Sequence, residues 1–378
     1  MITLNDEQIP KLMNAVVLEK PFVLVNKEIP IWPIEEYNDP DLLLIKVKAC
    51  GICGSDFRYY QGENPWAQHT LGQKIENPPN IVLGHEFSGI VVGVLDDLNR
   101  KWLGKRVIPI CSKTCGKCTM CTTGRENLCE STIHMGHGQG WGKRDYYPGA
   151  YADYVIAWGK GCFEIPESVS FEEATTMDVL AVCLHVVNQG NIKKSEPVLI
   201  LGCGPAGNGI AQIIKIIDPK IEIFIVEKSK TAIELAKHYS FDYIIDSNTK
   251  SEEEIKNFIL KRTNGYGVNS IFDSIGTELS FNLGLSLLAK GGTYVNMAVH
   301  DEQISMNQMT LASERRITTS SNFLIKEYKK TLKWLGEKKF NVQPWLTEIK
   351  LSVVPEIFHK IVDKNKRGKY FKIIIKKD

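Results

Sequence analysis

No stretch of this sequence approaches the roughly 20 consecutive apolar residues that span a bilayer, so an integral membrane helix is not expected. An excess of one charge is missing too. The 46 Lys and Arg against 44 Asp and Glu leave a net charge of +2, which gives no reason to expect nucleic acid or an anionic membrane as partner. The opening segment, MITLNDEQIPKLMNAVVLEK, lacks the basic start, apolar core and small-residue cleavage site of a secretory signal. Internal repeats and low-complexity tracts are absent as well. Together these absences lead to the expectation of a soluble, cytoplasmic protein.

What the chain does have is length and cysteine. At 378 residues it exceeds a comfortable single core, so two domains are expected. Of its ten cysteines, five fall between Cys111 and Cys129 and two more stand at Cys50 and Cys53. In a reducing compartment a tight cluster of this kind reads as metal binding rather than a disulfide framework. Cys162, Cys183 and Cys203 stand alone in apolar surroundings and read as small core residues.

Up to about Tyr154 the sequence has the look of short strands separated by turns, as in LLLIKVKA, NIVL, GIVVGVL and RVIPI. After Pro166 the character changes. PVLILG, IEIFIVE, YIID, SIFDSIG and TYVNMAV are apolar runs expected of strands buried on both faces. Ile210, Ile213, Ile214 and Ile217 share one helical face, and Ser229 stands where a helix over 229–239 would be capped. Alternating strands and helices argue for a parallel, doubly wound sheet. RITTS is a candidate sixth strand, and the tail KYFKIIIKK a strand able to pair with the amino-terminal domain, which would make the nucleotide domain an insertion.

CGKCTMCTTGRENLC places thiols at Cys115, Cys118, Cys121 and Cys129. Two-residue gaps let successive sulfurs converge on one ion, and the longer gap closes a tetrahedron. Four thiolates leave no open position, so a zinc held there is structural. An iron–sulfur cluster and a pair of disulfides are the rival readings. The first wants its fourth cysteine sooner, and the second fits poorly with the cytoplasm.

Cys53 in CGICGSD and His85 in GHE could each give one ligand to a catalytic ion, which needs about three protein ligands and an exchangeable position. Alone they mean little. Taken with the four-cysteine lobe and GAYADYV, in that order, they resemble the zinc-containing medium-chain alcohol dehydrogenases, most similar to the sorbitol and polyol branch. The likeness runs over essentially the whole chain. It implies an α/β protein with a GroES-like, β-rich catalytic domain over 1–180, completed by 323–378, and a Rossmann nucleotide-binding domain over 181–322. A homodimer or homotetramer is implied as well.

The resemblance also implies that Cys53 and His85 hold a catalytic zinc, with Glu86 as the acidic neighbour able to exchange with its water. The remaining ligand of the polyol branch is a glutamate followed by proline. Here Asp178 takes that place, one methylene shorter and without the proline, so direct binding by Glu86 or a bridging water stays open. Ser55 matches the hydroxyl that passes on the substrate proton, and Asp56 is placed to orient a zinc ligand. Where many members carry a histidine, this chain has Arg58, which does not titrate near neutrality.

Gly202-Cys203-Gly204-Pro205-Ala206-Gly207 is a GxGxxG sequence that follows the strand PVLIL and opens a helix, the context in which backbone amides cradle a pyrophosphate. Gly202, Gly204 and Gly207, with Pro205 and Ala206, are the expected cofactor contacts. Glu227, twenty residues past Gly207, can accept hydrogen bonds from ribose hydroxyls and repel a 2′-phosphate, favouring NAD over NADP. Lys228 beside it works partly against that preference.

The expected reaction is hydride transfer between a secondary alcohol, polyol or sugar-type substrate and NAD, with one catalytic and one structural zinc. The alternatives are a relative that kept the fold and lost its chemistry, and a threonine-type or sugar dehydrogenase of the same family. Among lesser features, HMGHGQGWG, which carries His134 and His137, is read as a flexible segment near the cleft in which His134 or Trp141 touches substrate, with a metal-binding loop as the rival reading. The basic patches over 326–339 and 364–377 are read as solvated faces.

Overall fold

The computed structural model describes residues 1–4, 8–298, 301, 303–362 and 370–377. The chain divides into two compact units, one formed by Met1–Asp178, Leu335–Lys338 and Leu346–Asp378, the other by Val179–Trp334 and Lys339–Trp345.

In the first unit, the run LLLIKVKACG forms the strand Leu42–Gly51 (β1), followed at once by the short helix Gly54–Tyr60 (α1). Its largely apolar residues suit β1 to a central position, and none of them is exposed. The strand Glu86–Val94 (β2) lies antiparallel to β1, with Gly51 opposite Glu86. Cys53 and Glu86 are therefore delivered from the same end of one strand pair. Arg106–Pro109 and Cys162–Glu164 extend the sheet beyond β2, while Tyr154–Trp158 pairs with β1. The core beneath it includes Val47, Phe87, Val91, Val155 and Tyr151.

The helix Met177–Gln189 (α2) carries Asp178 in its first turn. In the second unit the strand Val198–Leu201 (β3) leads through the glycine loop into the helix Pro205–Ile217 (α3), then to the strand Ile223–Glu227 (β4). The residues of β3 and β4 are buried throughout, as both faces of a parallel sheet require. Six parallel strands run in the order Tyr243–Asp246, β4, β3, Val268–Asp273, Leu288–Asn296, Arg316–Thr319. RITTS is thus the sixth strand. The helix after β4 spans Lys230–His238, and the Ser229 side chain accepts from the Ala232 amide at its N-cap.

The tail strand Lys372–Lys376 (β5) pairs antiparallel with β1, Ile374 opposite Gly51, and parallel with Leu346–Lys350. The return to the first unit falls at Leu335–Lys338 and Leu346, later than the expected residue 323. The reason is Glu327, whose carboxylate lies 2.9 Å from His185 Nδ1 and accepts from Asn188 Nδ2 at 2.7 Å, tying that helix to the second unit. No helix among the described residues is long and apolar enough to cross a membrane.

Candidate active site and metal centres

Cys115, Cys118, Cys121 and Cys129 bring their sulfurs within 4.8 Å of one another. No disulfide joins any of the ten cysteines. Backbone amides aim at the sulfurs: the Cys118 N–H donates to Cys115 Sγ and the Cys115 N–H to Cys129 Sγ, each at 3.4 Å. Amide donors from Lys117 and Cys118 pull the Cys115 thiol down to about 6. Burial and the Cys118 thiol push Cys121 up to about 12. Four free sulfurs converging at this distance make a donor set that tetrahedral zinc fits.

A second donor group joins Cys53, His85 and Glu86, with ligand atoms mutually within 4.8 Å. Local structure fixes each of them. Cys53 sits at the N-cap of α1, where its amide donates to Asp56 Oδ2 at 2.8 Å. Tyr151 donates its hydroxyl to the same oxygen at 2.8 Å, locking Asp56 in place. The other oxygen, Asp56 Oδ1, lies 3.4 Å from His85 Nδ1. Burial opposes a charge on His85, but Asp56 and Cys53 outweigh it and hold its pKa well above the usual value. The carboxylate beside a ring nitrogen is the arrangement that orients a metal-binding histidine. One S, one N and one O donor fit a catalytic zinc with an exchangeable position.

Glu86 forms a buried ion pair with Lys372, whose ammonium also donates to the Ile52 carbonyl at 3.2 Å. Burial would lower the pKa of Lys372, and the Glu86 carboxylate raises it above the usual value. The reading of 364–377 as a solvated face is therefore corrected at Lys372, which is 4% exposed. β5 places it beside β1, against the carboxylate. Of that patch, 364–369 lie outside the described residues. Gly51, between the two partners, leaves them room: a Cβ there would stand 2.5 Å from Glu86 Oε2 and 3.2 Å from Lys372 Cε.

Asp178 is not brought into the Cys53–His85–Glu86 group. Its Oδ1 accepts instead from Cys111 Sγ at 3.7 Å, and burial raises its pKa to about 6. The side chain one methylene shorter than glutamate accounts for the difference in reach. Ser55 turns a buried Oγ with no hydrogen-bond partner among the described residues. Arg58 pairs with Glu63 at 2.7 Å and donates to Gln68, so it serves its own loop.

The segment HMGHG is not loose. Amides of His134, Met135 and Gly136 donate to the carbonyls of Gln139, Cys111 and Pro148 at 3.0, 2.8 and 2.7 Å, and Met135 to Gly138 are buried. His134 Nε2 lies 3.5 Å from Cys111 Sγ, and Trp141 Nε1 donates to the His134 carbonyl at 2.9 Å. Burial and then His85 lower the pKa of His134 to about 3. Burial, His134 and His85 lower that of His137 well below the usual value. The glycine-rich composition hid this ordering. Cys111 and Lys372 carried no sequence signal beyond their membership of a cysteine cluster and a basic tail.

In the second unit, Gly202 takes φ +83°, and a Cβ on Gly207 would meet the Gly202 carbonyl at 1.9 Å, so the turn from β3 into α3 demands glycine at both. Gly204 caps α3, with open space on its side-chain side and Pro205 as the first helical residue. Ala206 and Gly207 follow within α3. This is a ready cradle for a pyrophosphate. Glu227 ends β4 with Oε2 accepting from the Cys203 amide at 2.5 Å and Oε1 from the Lys228 and Ser229 amides at 2.7 Å. Its charge thus sits at the mouth of the loop.

The four-thiol and Cys53–His85–Glu86 donor sets on a β-rich unit, with a third group of Asp56, His85 and His137 sharing the same histidine, and a phosphate cradle on a doubly wound unit define a zinc- and nicotinamide-using oxidoreductase. Residues 39–167 match the alcohol dehydrogenase GroES-like domain, and residues 205–337 match the zinc-binding dehydrogenase domain. The chain belongs to the zinc-containing medium-chain alcohol dehydrogenase family. It is 27% identical over 347 residues to D-xylulose reductase A of Aspergillus oryzae, with 91% of each chain covered. Among solved structures it resembles 2R,3R-butanediol dehydrogenase from Bacillus subtilis, at 22% identity and a TM-score of 0.81, over 97% of this chain and 100% of that one. It also resembles acetophenone reductase from Geotrichum candidum in complex with NAD, at 21% identity and a TM-score of 0.78, over 98% and 99%. At such identities the structural likeness speaks for the fold.

Proposed function

We propose that the chain oxidises a secondary alcohol carbon of a polyol or sugar-type substrate, delivering hydride to NAD, and runs the reverse reduction with the same parts. The observation that carries this reading is the Cys53–His85–Glu86 donor group beside the free hydroxyl of Ser55. The D-xylulose reductase relative supports the substrate class. Bound zinc would supply the charge that acidifies an alcohol hydroxyl, and bound NAD the hydride acceptor.

The chain's own residues supply the rest. Cys53, His85 and Glu86 would hold the catalytic ion, and Asp178, half-buried near them, is the reserve carboxylate. Asp56, with Oδ1 3.4 Å from His85 Nδ1, would orient the His85 ring. Ser55 would accept the hydroxyl proton while passing its own on to a cofactor hydroxyl or solvent, Arg58 being paired to Glu63 and not titrating near neutrality. Cys115, Cys118, Cys121 and Cys129 would hold the structural ion. Gly202, Gly204, Pro205, Ala206 and Gly207 would cradle the pyrophosphate, and Glu227 would accept from the ribose hydroxyls and disfavour a 2′-phosphate.

The test is NAD reduction screened over polyols, sugars, butanediols, amino alcohols and simple alcohols, with zinc counted in the purified protein. About two zinc per chain and turnover of a polyol are expected. Cys53→Ala should drop the count to one and abolish turnover while leaving NAD binding largely intact. Full activity in that variant sinks the reading.

A further inference from the structure

His137 is 6% exposed, yet neither ring nitrogen meets a hydrogen-bond partner among the described residues. Both faces of its ring are covered. Tyr59 stacks at 4.5 Å between centroids and 22°, and His134 stacks at 4.0 Å and 12°. Such a sandwich leaves only the ring edge, where the nitrogens are. That edge lies beside His85, one member of the candidate catalytic group: the His85 ring is 4.6 Å away by centroids, and ligand atoms of Asp56, His85 and His137 lie within 4.8 Å of one another. A buried polar atom without a partner costs about 1–3 kcal/mol, so the arrangement calls for a ligand group that donates and accepts. Imidazole presents one donor and one acceptor on diverging sides of the ring, and a hydroxyl, which can donate or accept, answers either one.

We propose that His137 is a specificity-determining residue whose ring edge hydrogen-bonds a second hydroxyl of the substrate, beside the one held at Cys53, His85 and Glu86. The inference rests on the reading of the chain as an alcohol-oxidising enzyme and narrows its substrate to a polyol with neighbouring hydroxyls. A site built to hydrogen-bond a hydroxyl rejects the analogue that lacks it far more strongly than an apolar pocket rejects an extra methylene.

The test compares xylitol with 2-pentanol, five-carbon chains that differ in their hydroxyls. His137→Phe keeps an aromatic ring between Tyr59 and His134 and removes both nitrogens, while His137→Gln restores a donor and an acceptor. In the zinc-loaded protein the ratio of kcat/KM for xylitol over 2-pentanol should fall at least tenfold in His137→Phe, mainly through KM, and recover in part in His137→Gln. Zinc content should stay at the wild-type value. Should the Phe variant not fold, His137→Leu carries the same readout.

An unchanged ratio overturns the inference and leaves the proposed function standing. Loss of zinc from the variant also overturns it, making His137 a metal ligand instead. If the wild type oxidises no alcohol, calorimetric titration of the zinc-loaded protein with xylitol decides: His137-dependent binding keeps the inference without the activity, and absent binding overturns both.

Discussion

Lys372 and Glu86 meet as a buried ion pair across 286 residues of sequence, and Glu86 is itself one of the candidate catalytic donors. Removing one partner of a buried pair leaves an uncompensated charge, which costs about 3–5 kcal/mol. Lys372→Met should therefore destabilise the protein by about that amount in urea unfolding. Adding Glu86→Gln should recover most of the loss, because the stranded charge disappears with it. A double variant no more stable than the single one would contradict this account.

The four-cysteine lobe should depend on its ion for order. Only short elements lie within it, the helical turns Thr119–Thr122 and Glu126–Leu128, and little apolar surface holds them. Cys121→Ser should lower zinc to about one per chain and expose the lobe to limited proteolysis. Cleavage mapped outside 112–134 would show that the lobe is held by packing instead.

Glu227 should set cofactor choice. With Glu227→Ala, the affinity for NAD should weaken roughly tenfold, in the range expected for loss of a charge-assisted hydrogen bond. NADP should gain relative to NAD, since the repelling charge is gone. Dissociation constants for the two dinucleotides, measured by quenching of protein fluorescence, give the ratio directly. Equal weakening for both would confine Glu227 to tying the amides of Cys203, Lys228 and Ser229.

Acid should weaken the second unit through Glu327. Burial alone would raise the pKa of this carboxyl, but His185, the Leu324 amide and Asn188 outweigh it and hold it below its ordinary 4.5. Folding thus favours the ionised form. The stabilisation is complete above the unfolded value and is lost as pH falls through the depressed folded one. Thermal melting between pH 3 and 7 should show an acid decline that Glu327→Gln flattens. An unaltered slope would remove Glu327 from the set of groups responsible.

Features carried by short, local spacing were legible in the chain itself. The cysteine intervals that bring Cys115 to Cys129 together, the glycine loop before α3 and the apolar runs of the second sheet all depend on neighbours a few residues away. Features that depend on distant partners were not. Lys372 alternates with apolar residues in a basic tail, and its burial follows only from the pairing of β5 with β1. Asp178 reads as a ligand by position, yet its reach brings it to Cys111, 67 residues away. The glycines of HMGHG suggest a segment without long-range partners, whereas amide bonds to the Cys111 and Pro148 carbonyls join it to the surrounding strands and loops.

The placement of β5 has a consequence for biosynthesis. Glu86 leaves the ribosome long before Lys372 exists, and at roughly 5–20 residues per second the delay is on the order of tens of seconds. During that interval the carboxylate and the edge of β1 are uncovered, while the six strands of the other unit, contiguous from Val198 to Thr319, are complete earlier. Co-translational folding should therefore reverse the order of the chain, the nucleotide-binding unit maturing before the amino-terminal one. Arrest of translation ahead of Lys372 would yield a nascent protein able to hold dinucleotide but without its Glu86–Lys372 ion pair.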